Sequence, residues 1–193
     1  MRQRSLAWKL NWYRQSELEG ALLLGRMVRQ ADDAELVRRL TEHCADEARH
    51  AWLWTQTLEQ LQLPTIRILR SYQSFYMQRG GMPASVPDVL ALTHVFEQRV
   101  QRQFSEELRD PQLPPPARHT FEIMLADERQ HLQWVRRWLE DRPDSAALLA
   151  RYREIDQHVY DELCLFQNRL WDVPGLGEMD QIWDSRLSAA EVS

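Results

Sequence analysis

The sequence predicts an all-α protein: four long helices with a long crossover between the second and third, followed by one more helix toward the C-terminal end. Apolar residues recur at spacings of three and four over long stretches, the period of a helix face rather than of a strand. The 9 prolines fall between those stretches and not within them, so nothing breaks the helical pattern from inside. With 193 residues, 44% hydrophobic and 27% charged, the chain suits one compact domain, or one domain with an appendage.

A first helix is expected over about residues 5–31, where Leu10, Tyr13, Gly20, Ala21, Leu24 and Val28 share a face. Asp32 and Asp33 can cap the helix after them. That second helix, about 33–61, carries Leu36, Leu40, Cys44, Ala51, Trp54, Leu58 and Leu61 without an interrupting Gly or Pro. The intervening loop is so short that the two helices must be antiparallel. Residues 62–87 hold Pro64, Gly80, Gly81, Pro83 and Pro87 near their edges, and a link of that length crosses from one end of a bundle to the other. The crossover is apolar for a loop, with Ile66, Ile68, Leu69, Tyr72, Phe75 and Tyr76 set between Arg67, Arg70 and Arg79. It can cover the bundle, line an entry channel or meet another subunit.

The third helix should start with Pro87 in its first turn and run to about Arg109 through Leu90, Val100, Phe104 and Leu108, until RDPQLPPPA breaks it. The fourth, about 116–141, carries Phe121, Met124, Leu125, Leu132, Val135, Trp138 and Leu139. The fifth, about 145–171, carries Leu148, Tyr152, Ile155, Val159, Leu163, Phe166 and Leu170, and a tail with Gly and Pro comes after it. The division expected is a four-helix bundle over 1–142 and a helical extension over 143–193, packed on the bundle or on a neighbouring copy.

Composition excludes several classes. No apolar run approaches the roughly 18 to 20 residues of a membrane span. The basic N-terminus never opens into an apolar targeting segment, so the cytoplasm is the expected location. Cys44 and Cys164 form no Cys-x-x-Cys, which argues against a disulfide framework or a zinc ribbon and leaves two free thiols. The 24 basic residues are scattered among 29 acids, and no basic block calls for nucleic acid.

The chemistry lies in two Glu-x-x-His sequences, Glu47-Ala48-Arg49-His50 and Glu128-Arg129-Gln130-His131. Each sits near the middle of a long helix on its apolar face. A separation of three puts carboxylate and imidazole on one side, within reach of one metal. The other two helices each set one acid into the apolar stripe, Glu17 and Glu97. Glu19 competes with Glu17, but the residue seven beyond Glu19 is Arg26, whereas Glu17 has Leu10 and Leu24 at those distances. An internal repeat agrees: Glu17 precedes Glu47 by 30 residues and Glu97 precedes Glu128 by 31.

Four carboxylates ionised in a bundle core would each cost several kcal/mol or more without partners. Two divalent cations cancel that charge. Oxygen-rich ligation with two imidazoles and no thiolate suits iron or manganese better than a structural zinc.

Over about residues 5–141 this pattern resembles the ferritin-like di-iron carboxylate proteins, whose two single-Glu helices and two Glu-x-x-His helices build one such site. Asp46-Glu47-Ala48-Arg49-His50 is similar to the Asp-Glu-x-Arg-His form of oxygen-activating members; Asp127-Glu128-Arg129-Gln130-His131 departs with Gln130 before the histidine. The resemblance implies a ferritin-like fold in which Glu47 and Glu128 bridge two iron ions, or one manganese and one iron. Glu17 and His50 complete one metal, Glu97 and His131 the other. Asp46 and Asp127 would accept hydrogen bonds from the ligand histidines.

The function so implied is an oxidase or oxygenase that uses O2 on a small organic substrate, with an external electron donor and no membrane. Aldehyde-deformylating, tRNA-hydroxylating and N-oxygenating relatives share the pattern. The alternatives are a rubrerythrin-like peroxidase, an iron-storing ferroxidase cage and a metal-free scaffold, and a homodimer remains open. Tyr13, one turn before Glu17, is either a phenol beside the metals or a core residue. His94, three before Glu97, is either a metal neighbour or a hydrogen-bonded boundary residue. His43 and Cys44 read as packing residues.

Overall fold

The computed structural model of the protein describes residues 2–66, 68 and 71–172. Arg67, Leu69 and Arg70, the side chains of Phe166 and Leu170, and the tail beyond residue 172 lie outside the described residues. The described chain is helical, with no strand: α1 (Arg2–Val28), α2 (Ala34–Gln60), α3 (Tyr72–Gly80), α4 (Val86–Glu107), α5 (Pro115–Glu140) and α6 (Ser145–Asp172). The ferritin-like bundle consists of α1, α2, α4 and α5. No described helix is long and apolar enough to cross a membrane.

Local chemistry sets the boundaries. The Asp33 carboxylate accepts from the Leu36 backbone N–H at 2.8 Å and starts α2. Ser85 caps α4 through the Asp88 N–H, with Pro87 in the first turn, where its missing N–H costs nothing. The crossover differs from the loop expected, because it contains α3. Ser71 and Ser74 form a reciprocal capping box at its start, and Gly81, at φ 75°, ends it in a backbone region open to glycine. Tyr72, Phe75 and Tyr76 give this short helix a buried face.

The crossover runs the length of the bundle and is pinned on the way by Asn11, which is fully buried. Its side-chain amide donates to Ala7 O and Pro64 O, and its oxygen accepts from the Ile66 N–H. Farther on, the Gln73 amide donates to Ser16 O of α1 at 2.8 Å.

The apolar core is in two parts. One takes in Leu24, Leu40, Val89, Val95, Val135 and Leu139 near the α1–α2 loop and continues along α1 to Trp12 and Trp8 and to the buried faces of α3 and α6. The other, around Leu10, Trp54, Leu58, Phe104, Phe121 and Met124, fills the opposite end. Between them, at mid-height of all four helices, lies a layer of buried acids and histidines.

α6 packs against α4 and α3. Asp156, 3% exposed, accepts from the Tyr76 hydroxyl and from Arg99 Nε at 2.7 Å, so one carboxylate ties three helices together. Asp156→Ala leaves Arg99 largely buried without its partner and is expected to destabilise the fold by about 3 kcal/mol. Urea denaturation measures it; a midpoint equal to that of the unaltered protein would contradict this role.

Candidate metal centre

The mid-bundle layer holds every residue singled out by the Glu-x-x-His pattern. Glu17 of α1, Glu47 and His50 of α2, Glu97 of α4, and Glu128 and His131 of α5 are each 7% exposed or less. Their ligand atoms gather in two groups, each within 4.8 Å: Glu17, Glu47, His50 and Glu128 in one, His43, Glu47, Glu97 and His131 in the other. Glu47 belongs to both. Glu128 also faces both sides, with Oε1 3.9 Å from His50 Nδ1 and Oε2 3.8 Å from His131 Nδ1.

His43 is the residue that sequence reasoning assigned to packing. Its Nε2 lies 3.1 Å from Glu47 Oε1 and 2.8 Å from Glu97 Oε1, and its ring stacks on that of His131 with centroids 3.7 Å apart. The signal was present: His43 is four residues before Glu47, and therefore on the same face of the same helix. Glu19, the rival of Glu17, lies outside both groups; it accepts from Ser71 and from Gln15 at 2.8 Å. His94 is buried but bonded to Gln98 at 3.0 Å, also outside both groups. Tyr13 packs into the aromatic cluster below the layer, stacked on Trp54 at 5.6 Å and edge-on to Phe104 and Phe121.

The histidines are oriented from behind. His50 Nε2 lies 3.1 Å from Asp127 Oδ2, and His131 Nε2 lies 3.1 Å from Asp46 Oδ2. Each aspartate thus holds the histidine of the facing helix. An ionised aspartate accepts only, so the proton sits on Nε2 and Nδ1 keeps a bare lone pair. Those Nδ1 atoms, together with Oε2 of Glu97 and Oε2 of Glu128, are buried and have no hydrogen-bond partner among the described residues.

Arg49 stands behind both aspartates. Its Nη2 donates to Asp127 Oδ2 at 2.7 Å and Asp46 Oδ1 at 3.2 Å. The second half of the repeat has Gln130 where a matching arginine would stand, so one guanidinium serves both sides. Arg49→Gln is expected to weaken metal retention about 10- to 100-fold, the usual effect of losing an outer-shell partner. Competition with a graded chelator measures it, and unchanged retention would show that each aspartate holds its histidine unaided.

Electrostatics explains what the chain does with so many acids. Burial and the neighbouring Glu47 hold Glu17 well above the ordinary carboxylate range. Burial and Glu97 push Glu128 up to about 7. Burial opposes charge on His43, but Glu97 and Glu47 outweigh it and push the imidazole up to about 10. Burial likewise opposes charge on Glu47, yet the His43 hydrogen bond holds it low. Protons thus neutralise charges that a pair of dications would neutralise in their place.

The donor set fits two such ions. Inward oxygens and imidazole nitrogens without hydrogens suit iron or manganese. Bonds of about 2 Å set neighbouring ligand atoms some 3 to 4 Å apart, and the contacts of His50 Nδ1 with Glu17 Oε2 (3.6 Å) and of His131 Nδ1 with Glu47 Oε1 (3.8 Å) fall in that range. Gly20 leaves room at the α1–α2 contact, since a Cβ there would stand 3.0 Å from Glu47 Oε2.

A cavity of about 290 Å³ opens beside this layer between α1, α3 and α4. Glu17, Glu47, Glu97 and Glu128 form its inner end; Tyr76 and Met77 of α3 and Leu92 and Phe96 of α4 form much of its walls. It is an apolar chamber with one polar end, as a small-molecule site requires.

The family model of AurF, p-aminobenzoate N-oxygenase, matches residues 17–160. That span begins at Glu17 and contains every residue of the layer. No curated protein and no solved structure matches the chain.

Proposed function

The chain belongs to the AurF, p-aminobenzoate N-oxygenase, family of ferritin-like di-iron oxygenases, and from that premise we propose that Glu17, Glu47, His50, Glu97, Glu128 and His131 hold its two irons, with His43 as a seventh ligand. The observation that carries the assignment is the pair of ligand groups sharing Glu47, with unpartnered Nδ1 atoms turned inward. As in the family, the substrate is a small molecule and the co-substrate is O2. We further assign N-oxygenation of a mainly apolar aromatic amine, from the family's chemistry and the apolar walls of the cavity.

Bound there, the irons supply the redox capacity to activate O2 for transfer of oxygen to the substrate. The chain supplies everything else. Asp46 and Asp127 keep a proton on each Nε2, which leaves Nδ1 free as a donor. Four carboxylates offset the charge of two dications, so the loaded site is close to neutral and stable in a low-dielectric core. Trp54, Phe104 and Phe121 close the bundle below the site against water. The cavity admits the substrate from the side of α3 and orients it toward the layer.

The bundle over 1–142 carries the site in this reading, and α6 backs α3 and α4, the walls of the cavity. An external reductant delivers electrons, the protein acts in the cytoplasm, and two copies associate as a homodimer. The test is a single turnover. Protein with two ferrous ions per chain is mixed with ¹⁸O2 and p-aminobenzoate or other arylamines, and the products are read by mass spectrometry. Label on the amine nitrogen is expected. Oxygen consumption without transfer to any arylamine would reject the substrate class, and tens of irons per chain would point to storage instead.

A further inference from the structure

A second cavity, of about 440 Å³, opens between the first turns of α1, the end of α4 and the later part of α6. That is room for a small molecule. None of its described lining residues belongs to the two ligand groups of the metal layer.

Aromatic rings form its buried wall. Trp8, Trp12 and Tyr72 are each 4% exposed or less, with ring centroids 5.0 Å apart for Trp8 and Trp12 and 6.3 Å apart for Trp12 and Tyr72. The row has two different ends. At one, Lys9, next to Trp8 in α1, holds Glu107 through both carboxylate oxygens, at 2.7 and 2.9 Å. At the other stands Tyr72, the first residue of α3.

Charge gathers at the first end. Lys9 is the one cation among the described lining residues, and Glu107 occupies it. Glu106 is exposed and has no hydrogen-bond or ion-pair partner among the described residues, and the Asp110 side chain accepts only from the Gln112 backbone N–H, at 2.8 Å. Two acids therefore stand without a cation. They are not gathered as metal ligands are: among the described residues, the groups of acids and histidines close enough to share an ion are those of the mid-bundle layer. An organic cation suits this end better, because an aromatic wall attracts the positive group and covers the apolar body behind it.

The second end carries an unmet hydrogen bond. The Tyr72 hydroxyl is buried and has no partner among the described residues, a rare and costly condition for a polar group. Asp156 lies near it but is taken by Tyr76 and Arg99. Burial, then Asp156, hold the phenol protonated well above its ordinary range; Tyr160 and Cys164, which line this cavity, act on it as well. The hydroxyl of Tyr72 thus faces this cavity as a neutral group in want of a partner.

We propose that the second cavity binds an organic ammonium ion whose apolar body lies along Trp8 and Trp12: Glu106 and Asp110 draw the ammonium group, and a hydroxyl at the other end of the molecule bonds to Tyr72. The site takes nothing from the metals, so it stands or falls independently of the oxygenase reading.

Anaerobic calorimetry on the full chain tests it with three probes: tyramine; phenethylamine, which lacks the phenolic hydroxyl; and tyrosol, in which a neutral hydroxyl replaces the ammonium. Tyramine is expected to bind one per chain, phenethylamine about threefold more weakly for the lost hydrogen bond, and tyrosol about tenfold more weakly for the lost charge. Glu106→Gln combined with Asp110→Asn should bring tyramine down to the level of tyrosol. Tyr72→Phe should erase the difference between tyramine and phenethylamine without lowering the thermal midpoint, because the hydroxyl has no bond to lose in the empty cavity. Metal content should be unchanged in both variants. No binding of tyramine, binding no tighter than that of tyrosol, or preferences that survive in the matching variant would overturn the proposal. A lowered midpoint in Tyr72→Phe would make the hydroxyl part of the fold and overturn its role as a ligand contact.

Discussion

Glu47→Ala is expected to leave the protein without bound iron on either side of the site, a fall from about two ions per chain to none. Glu47 is the one residue that stands in both of these groups, so in the proposed site its loss removes a ligand from each metal at once. The helices should survive, because the variant also removes one of four crowded buried carboxylates and relieves the repulsion that raises Glu17. His131→Ala gives the matching test on one side: Glu97 and His43 remain, but Asp46 loses the ring it holds. Elemental analysis of protein purified without chelators reads both variants, with circular dichroism as the control for fold. Full metal content in either would remove the basis of the ligand assignment.

Metal removal should have the second large effect, on stability. In the proposed site the folded chain assembles ligands from four helices, whereas the unfolded chain has no such site, so the ions would bind the native state alone. At free metal a hundredfold above the dissociation constant, each site adds about 2.7 kcal/mol, or about 5 kcal/mol for the pair. In a domain of this size that shifts the thermal midpoint by more than about 10 °C. Thermal unfolding with and without a strong chelator measures the difference. A midpoint indifferent to chelation would mean that the acids are satisfied by protons alone.

Much of the fold was legible in the sequence because helices announce themselves locally. Asp33 and Pro87 stand where the start of a helix needs them, and the stripe through Leu36, Leu40, Trp54 and Leu58 can face only a core. The crossover helix was not legible: its nine residues, Tyr72–Gly80, are too few for a periodic signal, and its start depends on a serine pair rather than an acid. Asn11 was also silent, since a polar residue on an apolar face gains meaning only when Pro64 and Ile66 arrive to bond it.

The site divides in the same way. Glu17, Glu47, His50, Glu97, Glu128 and His131 were placed on inward faces by periodicity and by the repeat of 30 and 31 residues, because spacing along one helix fixes direction. His43 occupied an equally inward position, but nothing local distinguishes an imidazole that packs from one that meets Glu97 of another helix at 2.8 Å. Arg49 likewise carried no sign that it would reach Asp127, 78 residues away, as well as Asp46 one turn back.

By itself, then, the sequence determined the helices, the faces they bury and the acids those faces carry, since all three stem from the 3.6-residue period. Only the tertiary structure decided which histidine joins which pair of carboxylates, that one arginine braces both halves, and where the cavity opens. Those depend on distances between helices, and side-chain contacts between elements are set by how four helices and a crossover pack together rather than by the order of residues in any one of them.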